Sequence, residues 1–384
     1  MASAEGRHAT NLELFLDLVF VFAVTQITGF FAHHVSLGGA AQALLLTWLA
    51  WWMWSMFTWL GTTVDLQSDP RTRVMVLTMI PAVLLMASTI PSALTTQSVP
   101  FAVGYAAVAL WLLAIQGRAA RGNGAAWSGF RNYVPLAAVG PVLLLVGAFA
   151  PEAARMWLWI GVALVNVGSA IRAGRSGGQW HLDAVHFAER HALFVIICLG
   201  EVLVAIGSNV AAAATEAALD AATIAALVVT TAVAGALWWS YFAYVPRVVE
   251  HALHEASGSA KGNLARDLCT FGHVPLVLGI IAYAVTAKHL VQHPGGPMEG
   301  ADRVLLAVSV ALFVGGLLGL QWQLARHLSR ERILAVVAVA AVAAVGAFLP
   351  GLVTMTLVAV ILTVMSVAMV RAFSRTEMAQ RIAE

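Results

Sequence analysis

A few acids and bases set among long apolar runs are the residues of this chain best equipped for chemistry. Glu13 and Asp17 stand four apart in the apolar segment from Asn11 to Phe22, which continues to Gln26. On a helix that spacing puts both carboxyl groups on one face. Two carboxylates there repel unless they share a proton or something positive sits between them. The bland alternative is that both cap a helix N-terminus, where acids are favoured. A second group runs His186, Glu189, Arg190 and His191, and then Glu201. Arg190, Phe194, Ile197 and Glu201 are spaced 4, 3 and 4, one stripe of a helix. The rise along a helix separates Arg190 from Glu201 by about 16 Å, so these two cannot pair. Arg190 is therefore expected to bridge to Glu13 or Asp17. Glu201 has no base near it in sequence, and burial without a partner favours a protonated carboxyl. Such a group suits a proton or cation site; a neutral Glu bonded to a neighbouring helix is the alternative.

Other chemistry finds little support. Of the twelve histidines, His181, His186 and His191 are five apart, which turns successive side chains by about 140° around a helix. The i, i+4 spacing of zinc helices is not met. His251 and His254, with Glu250 or Glu255, could chelate but fall in what reads as a polar loop. No metal and no cofactor is expected. No nucleophile elbow, phosphate-binding loop or dinucleotide fingerprint occurs, so no enzyme activity is expected. Trp48, Trp51, Trp52, Trp54, Phe57 and Trp59 crowd one segment. They read either as an interfacial belt or, for Trp51, Trp52 and Trp54 together with Trp239, as a pocket for an apolar or cationic ligand.

The elements that must position these residues follow from composition. Of 384 residues, 60% are apolar and only 40 are Lys, Arg, Asp or Glu, where a soluble chain of this length would carry roughly 96. A soluble enzyme is excluded, and nucleic acid is no expected partner, because no basic tract is present to meet a phosphate backbone. Apolar runs bounded by charge, Gly and Pro mark twelve transmembrane spans, near 12–33, 39–61, 73–93, 99–117, 132–150, 153–172, 187–207, 221–245, 268–288, 303–325, 332–349 and 352–372. The expected fold is an all-α polytopic membrane protein. With the N-terminus inside, 17 of the 21 Lys and Arg fall on inner segments; Arg155, Lys288 and Arg303 fall outside and Arg190 opens span seven. That asymmetry predicts both termini on the cytoplasmic side of the membrane. No cleavable signal peptide is read at the N-terminus, so the first span is expected to direct insertion. Cys198 and Cys269 lie in apolar surroundings and are expected unpaired.

The chain also repeats itself. Trp54-Ser55-Met56-Phe57-Thr58-Trp59, with Asp65 beyond, matches Trp239-Ser240-Tyr241-Phe242-Ala243-Tyr244, with Glu250 beyond. Each acid falls eleven residues after its Trp, making Asp65 and Glu250 repeat-equivalent. Pro81-Ala82-Val83-Leu84 echoes Pro275-Leu276-Val277-Leu278, and Val146-Gly147-Ala148-Phe149-Ala150-Pro151 echoes Val345-Gly346-Ala347-Phe348-Leu349-Pro350. Ordered matches of this kind indicate duplication of a six-span unit. Six is even, so the two units (1–178 and 179–384, meeting at the Gly-rich stretch 174–178) are expected to be parallel repeats.

Two stretches carry a family resemblance. The run from Asn11 to Ala23, and the run His186-Phe187-Ala188-Glu189-Arg190-His191 continuing to Leu199-Gly200-Glu201, resemble the two signatures of the bacterial low temperature requirement A family. The Trp-rich second span and the twelve-span length fit it as well. The family is named for a cold-growth phenotype, so the resemblance implies architecture and candidate positions but no substrate. Phe15-Leu16-Asp17-Leu18-Val19-Phe20 also resembles the first-helix signature of lysosomal and bacterial potassium channels built from six-span units. It departs from that signature at Leu16, Leu18 and Asn11, and Leu193 stands where a second Asp would. The function expected from these residues is a secondary transporter or channel. Its path would be lined by Glu13, Asp17, Gln26, Glu189, Arg190 and Glu201. The other reading is a non-transporting sensor or scaffold that binds a lipid or hydrophobic ligand. Expected partners are the lipid bilayer and an unidentified small solute or ion, with a homodimer left open. Fused to the C-terminus in a bacterial host, a fluorescent protein should fluoresce and alkaline phosphatase should stay inactive; the opposite pair of results would overturn the orientation.

Overall fold

The computed structural model describes residues 8–63, 69–121, 124–175, 182–216 and 218–375. Helices dominate, and twelve are long and apolar enough to cross a membrane. They are α1 (Asn11–His33), α2 (Leu37–Thr62), α3 (Pro70–Ser92), α4 (Ser98–Ala120), α5 (Trp127–Ala148) and α6 (Glu152–Gly174). There follow α7 (Ala184–Thr215), α8 (Ala221–Glu255), α9 (Gly258–Gln292), α10 (Gly300–Ala325), α11 (Arg330–Phe348) and α12 (Gly351–Phe373). All twelve expected spans are present. Three run on beyond their apolar stretches. The segment holding Glu250, His251 and His254, which hydropathy marks as a loop, is instead helical, the Val245–Glu255 end of α8. Backbone hydrogen bonding continues a helix past the point where its side chains turn polar, and hydropathy does not register that.

Prolines interrupt the spans. α3 stops at Leu77 and resumes at Ile80, because Pro81 has no N–H to offer the Leu77 carbonyl. α5 breaks between Ala137 and Val139, where Pro141 likewise leaves the Ala137 carbonyl without its helical donor. In α9 a π-helical turn, Arg266–Phe271, precedes Pro275. The N-terminus of α3 is set by Asp69, whose carboxylate accepts from the Arg71 N–H (3.0 Å), the Thr72 hydroxyl (2.7 Å) and Arg118 (2.6 Å). These bonds, that of Thr72 first, hold its carboxyl at about 2, below the usual range.

The helices pack into two compact units. The first comprises Met1–Phe30, Gly38–His191 and Leu253–Phe271; the second comprises Phe31–Leu37, Ala192–Ala252 and Gly272–Glu384. In the first unit α3 lies against α4, α4 against α5, and α5 against α6. Trp159 of α6 is buried, stacks on Phe101 of α4 (5.1 Å) and donates to the Leu144 carbonyl (3.1 Å). Arg155, a cation in a segment read as outer, has its own acceptors. Its guanidinium donates to the carbonyls of Leu94 (2.7 Å), Thr95 (2.8 Å) and Ala150 (2.9 Å), so the charge caps helix ends rather than facing water. In the second unit α9 packs on α10, α10 on α11, α11 on α12, and α12 on α8. There Arg303 reaches the Ala343 and Ala344 carbonyls at the end of α11 (3.5 and 3.4 Å). Cys198 and Cys269 are buried free thiols.

Two glycines let one helix press against the backbone of the next. A methyl group on Gly104 would stand 2.8 Å from the Ala82 carbonyl oxygen and 2.9 Å from the Met86 nitrogen; on Gly279 it would stand 2.7 Å from the Phe313 nitrogen and the Ser309 carbonyl oxygen. These obstacles are backbone atoms and cannot swing aside. Gly104→Ala and Gly279→Ala should each cost about 1–3 kcal/mol, lowering the thermal unfolding midpoint of the detergent-purified protein. Gly315→Ala, where a methyl meets nothing within 4 Å, should leave the midpoint unchanged or higher. Equal melting of all three variants would refute the tight contacts.

Candidate functional site

α1 is patterned opposite to a soluble amphipathic helix. Glu13, Leu16, Asp17, Phe20, Val24 and Ile27 are buried, whereas Phe15 and Leu18 are 50% and 62% exposed. The acids lie on the inward stripe and the large apolar side chains face out, as a lipid environment demands. Glu13 opens the helix with a capping box: the Thr10 N–H donates to Glu13 Oε2 (2.9 Å), and the Glu13 N–H donates to Thr10 Oγ1 (3.2 Å). The capping expected for Glu13 is therefore present, but it engages only part of the carboxylate.

The rest is met by α7. Its N-cap region is ordered by Asp183, which accepts the His186 N–H (3.1 Å). His186 Nε2 then stands 3.0 Å from Glu13 Oε1 and 3.1 Å from Oε2, and donates to the carboxylate. One turn further along both helices, Arg190 Nη1 donates to Asp17 Oδ2 (2.5 Å) and Nη2 to Oδ1 (2.8 Å), a bidentate pair. Arg190 Nε is 4.0 Å from Glu13 Oε1, so the guanidinium leans toward both acids. Glu13, Asp17, His186 and Arg190 are each 0% exposed. The two pairings advance together, Glu13 with His186 and Asp17 with Arg190, so α1 and the start of α7 run parallel.

α2 closes the cluster with residues seven apart, two turns on one face. Trp54 Nε1 donates to Asp17 Oδ1 (2.9 Å), and its ring lies under the Arg190 guanidinium (5.7 Å to the centroid). Phe57 flanks the guanidinium at 5.9 Å. Gly61 lies where a Cβ would fall 2.5 Å from Glu13 Oε1; only glycine lets α2 approach the carboxylate so closely. His191 stands edge-on to Trp54 (5.0 Å), its Nδ1 donating to the Phe187 carbonyl (2.9 Å).

Glu13, Asp17, Arg190 and Trp54 are thus brought together, all within the first unit. His186, Thr10 and Gly61 complete the site, and spacing for a metal was the wrong test for His186. A usable signal was present: His186 and Arg190 are four apart, as Glu13 and Asp17 are, so two parallel helices can match charges turn by turn. Glu189 points elsewhere, its Oε2 accepting the Ala9 N–H (2.8 Å) with His8 Nδ1 at 3.3 Å. Glu201 is buried on the part of α7 that belongs to the second unit. Gln26 and Glu250 are half-buried, and Asp65 lies outside the described residues. Among the described residues no group of three His, Cys, Asp or Glu is placed to hold a metal ion.

Part of the tryptophan cluster of α2 is packed inside the protein. Trp51, Trp52 and Trp54 are buried. Trp51 Nε1 donates to the Thr270 carbonyl (2.8 Å) and Trp59 Nε1 to the Thr270 hydroxyl (3.0 Å), so α2 is moored to the π-helical turn of α9. Trp239 is 51% exposed on α8 beside Trp238. Asp17→Asn or Arg190→Gln alone should destabilise by about 3–5 kcal/mol, because each leaves a buried charge unpaired. The double variant should lose less than the sum of the two, read as melting of the purified protein; additive losses would show that the pair is not coupled.

The pattern described as bacterial low temperature requirement A protein (LtrA) matches residues 8–367. An uncharacterized protein of Rhizobium meliloti (strain 1021) is 33% identical over 297 residues, spanning 73% of this chain and 69% of that protein. No solved structure matches, and the likeness of Phe15–Phe20 to potassium channels gains no support there. The family match takes in α1, α2 and α7 and with them every member of the buried charge cluster; the chain belongs to the bacterial low temperature requirement A (LtrA) family.

Proposed function

We propose that this LtrA protein is a secondary transporter or channel of the bacterial cytoplasmic membrane, both termini inside, that moves a small solute or ion and uses acids of α1 and α7 as proton or cation sites. The observation that carries the reading is the wholly buried set Glu13, Asp17, His186 and Arg190, joining two apolar spans. An ionised side chain among hydrocarbon costs at least about 2.5–3.5 kcal/mol, and a well-packed apolar core would serve stability as well or better. Charges retained at that cost usually serve an ion or substrate path. Parallel pairing of α1 with the start of α7 supports two six-span units that enter from the same side, with the path expected between such units. Glu201, buried further along α7, supplies a second acid on the same helix.

One observation favours the second reading, a sensor or scaffold. Asp17 already receives three N–H donors and Trp51 and Trp54 donate inside the protein, as in a closed core. Flux separates the two. Proteoliposomes holding ion- and pH-sensitive dyes should show pH-dependent movement of an ion or solute from a panel. Glu201→Gln, and the charge-neutral double variant Asp17→Asn with Arg190→Gln, should lower it at least about 10-fold. Wild-type pH-dependent flux in both would sink the assignment, and no flux of any panel member would favour the sensor.

A further inference from the structure

We infer that the cluster binds a proton and not a metal cation, and that His186 with Glu13 is where the proton is held. The inference rests on the transport reading only for what the proton would drive. Binding itself follows from how the oxygens are occupied. Glu13 Oε1 faces His186 Nε2, and Oε2 faces both His186 Nε2 and the Thr10 N–H. Asp17 Oδ1 accepts from Trp54 and Arg190, and Oδ2 from Arg190. Every carboxylate oxygen therefore has an N–H hydrogen directed at it. A hard cation needs about six or more oxygen ligands at close range, and here the places it would take are filled by positively polarised hydrogens and a guanidinium. Space is lacking as well, since α2 at Gly61 leaves no room for a methyl group beside Glu13 Oε1.

A proton needs neither. With Glu13 and Asp17 ionised, Arg190 charged and His186 neutral, the four side chains sum to −1, and one further proton makes them neutral. Neutrality is the state that a dehydrated interior favours. His186 Nε2 already donates to Glu13, so the entering proton falls to Nδ1, a buried nitrogen with no hydrogen-bond partner among the described residues. One N–H bond forms, the proton comes from solvent and returns to it, and no electrons move. Among the described residues the charged or titratable groups around it are Glu13 and Asp17 from α1, Asp183 just before α7, and Arg190 and His191 from α7. From α2, Trp54, Phe57 and Gly61 face the cluster, and none of them titrates. The bidentate Asp17–Arg190 pair keeps its charges throughout, leaving the His186–Glu13 pair as the changeable half.

The test is an equilibrium one on the full-length protein in nanodiscs, in weak buffer with a pH dye. On acidification from about pH 8 to about pH 5, wild type should take up one proton per chain more than His186→Gln, and likewise more than Glu13→Gln. The other histidines cancel in the difference. Replacing choline chloride by sodium or potassium chloride should leave both the wild-type titration and its melting temperature unchanged. Equal uptake by wild type and a folded variant overturns the inference; so does saturable stabilisation of wild type by sodium or potassium, which requires no variant to fold. Absence of flux alongside the extra proton would count against transport alone. Sodium-coupled flux with a saturable sodium site would leave transport standing and remove the proton site.

Discussion

Asp17 and Arg190 form the contact on which the rest of the site depends. A bidentate carboxylate–guanidinium pair, 0% exposed, fixes two helices in both distance and register, because the planar fork accepts one geometry. With that register set, His186 falls opposite Glu13 one turn earlier. Trp54 is then held by its N–H on Asp17 and by its ring on Arg190. Displacing any one of these leaves a charge without its partner in a medium that does not hydrate it.

The same constraint accounts for α2. Its face toward the cluster carries a hydrogen-bonding aromatic at Trp54 and no side chain at Gly61, and Trp51 and Trp59 are moored to Thr270 in the π-helical turn of α9. π-turns present a carbonyl outside the regular ladder. Elsewhere the solution is similar: Arg155 and Arg303, cations in segments read as outer, are taken up by helix-terminal carbonyls. Charge is present only where the fold supplies acceptors for it.

Much of the architecture was legible beforehand, because the bilayer makes span length and apolarity nearly sufficient to locate helices. Glu13, Asp17 and Arg190 stood out for the same reason, being charges where charge is costly. His186 did not, because its metal-chelating geometry was weighed and its partnership across helices cannot be read from one helix alone. Glu189 looked equivalent to its neighbours in sequence, yet a step of one residue turns a side chain by about 100°, and it binds the segment before α1 instead. The length of α8 was also misjudged, since polar side chains at Glu250 and His251 do not end a helix.

By itself the sequence determined that this is a membrane protein of twelve helices, and which few ionisable groups lie within them. Hydrophobicity is additive along a chain, so local composition carries that information. Tertiary structure decided which groups meet. Pairing depends on the rotation and register of helices far apart in sequence, 173 residues for both Glu13–His186 and Asp17–Arg190. Interactions across helices are where a run of acids and bases becomes one charge-balanced site.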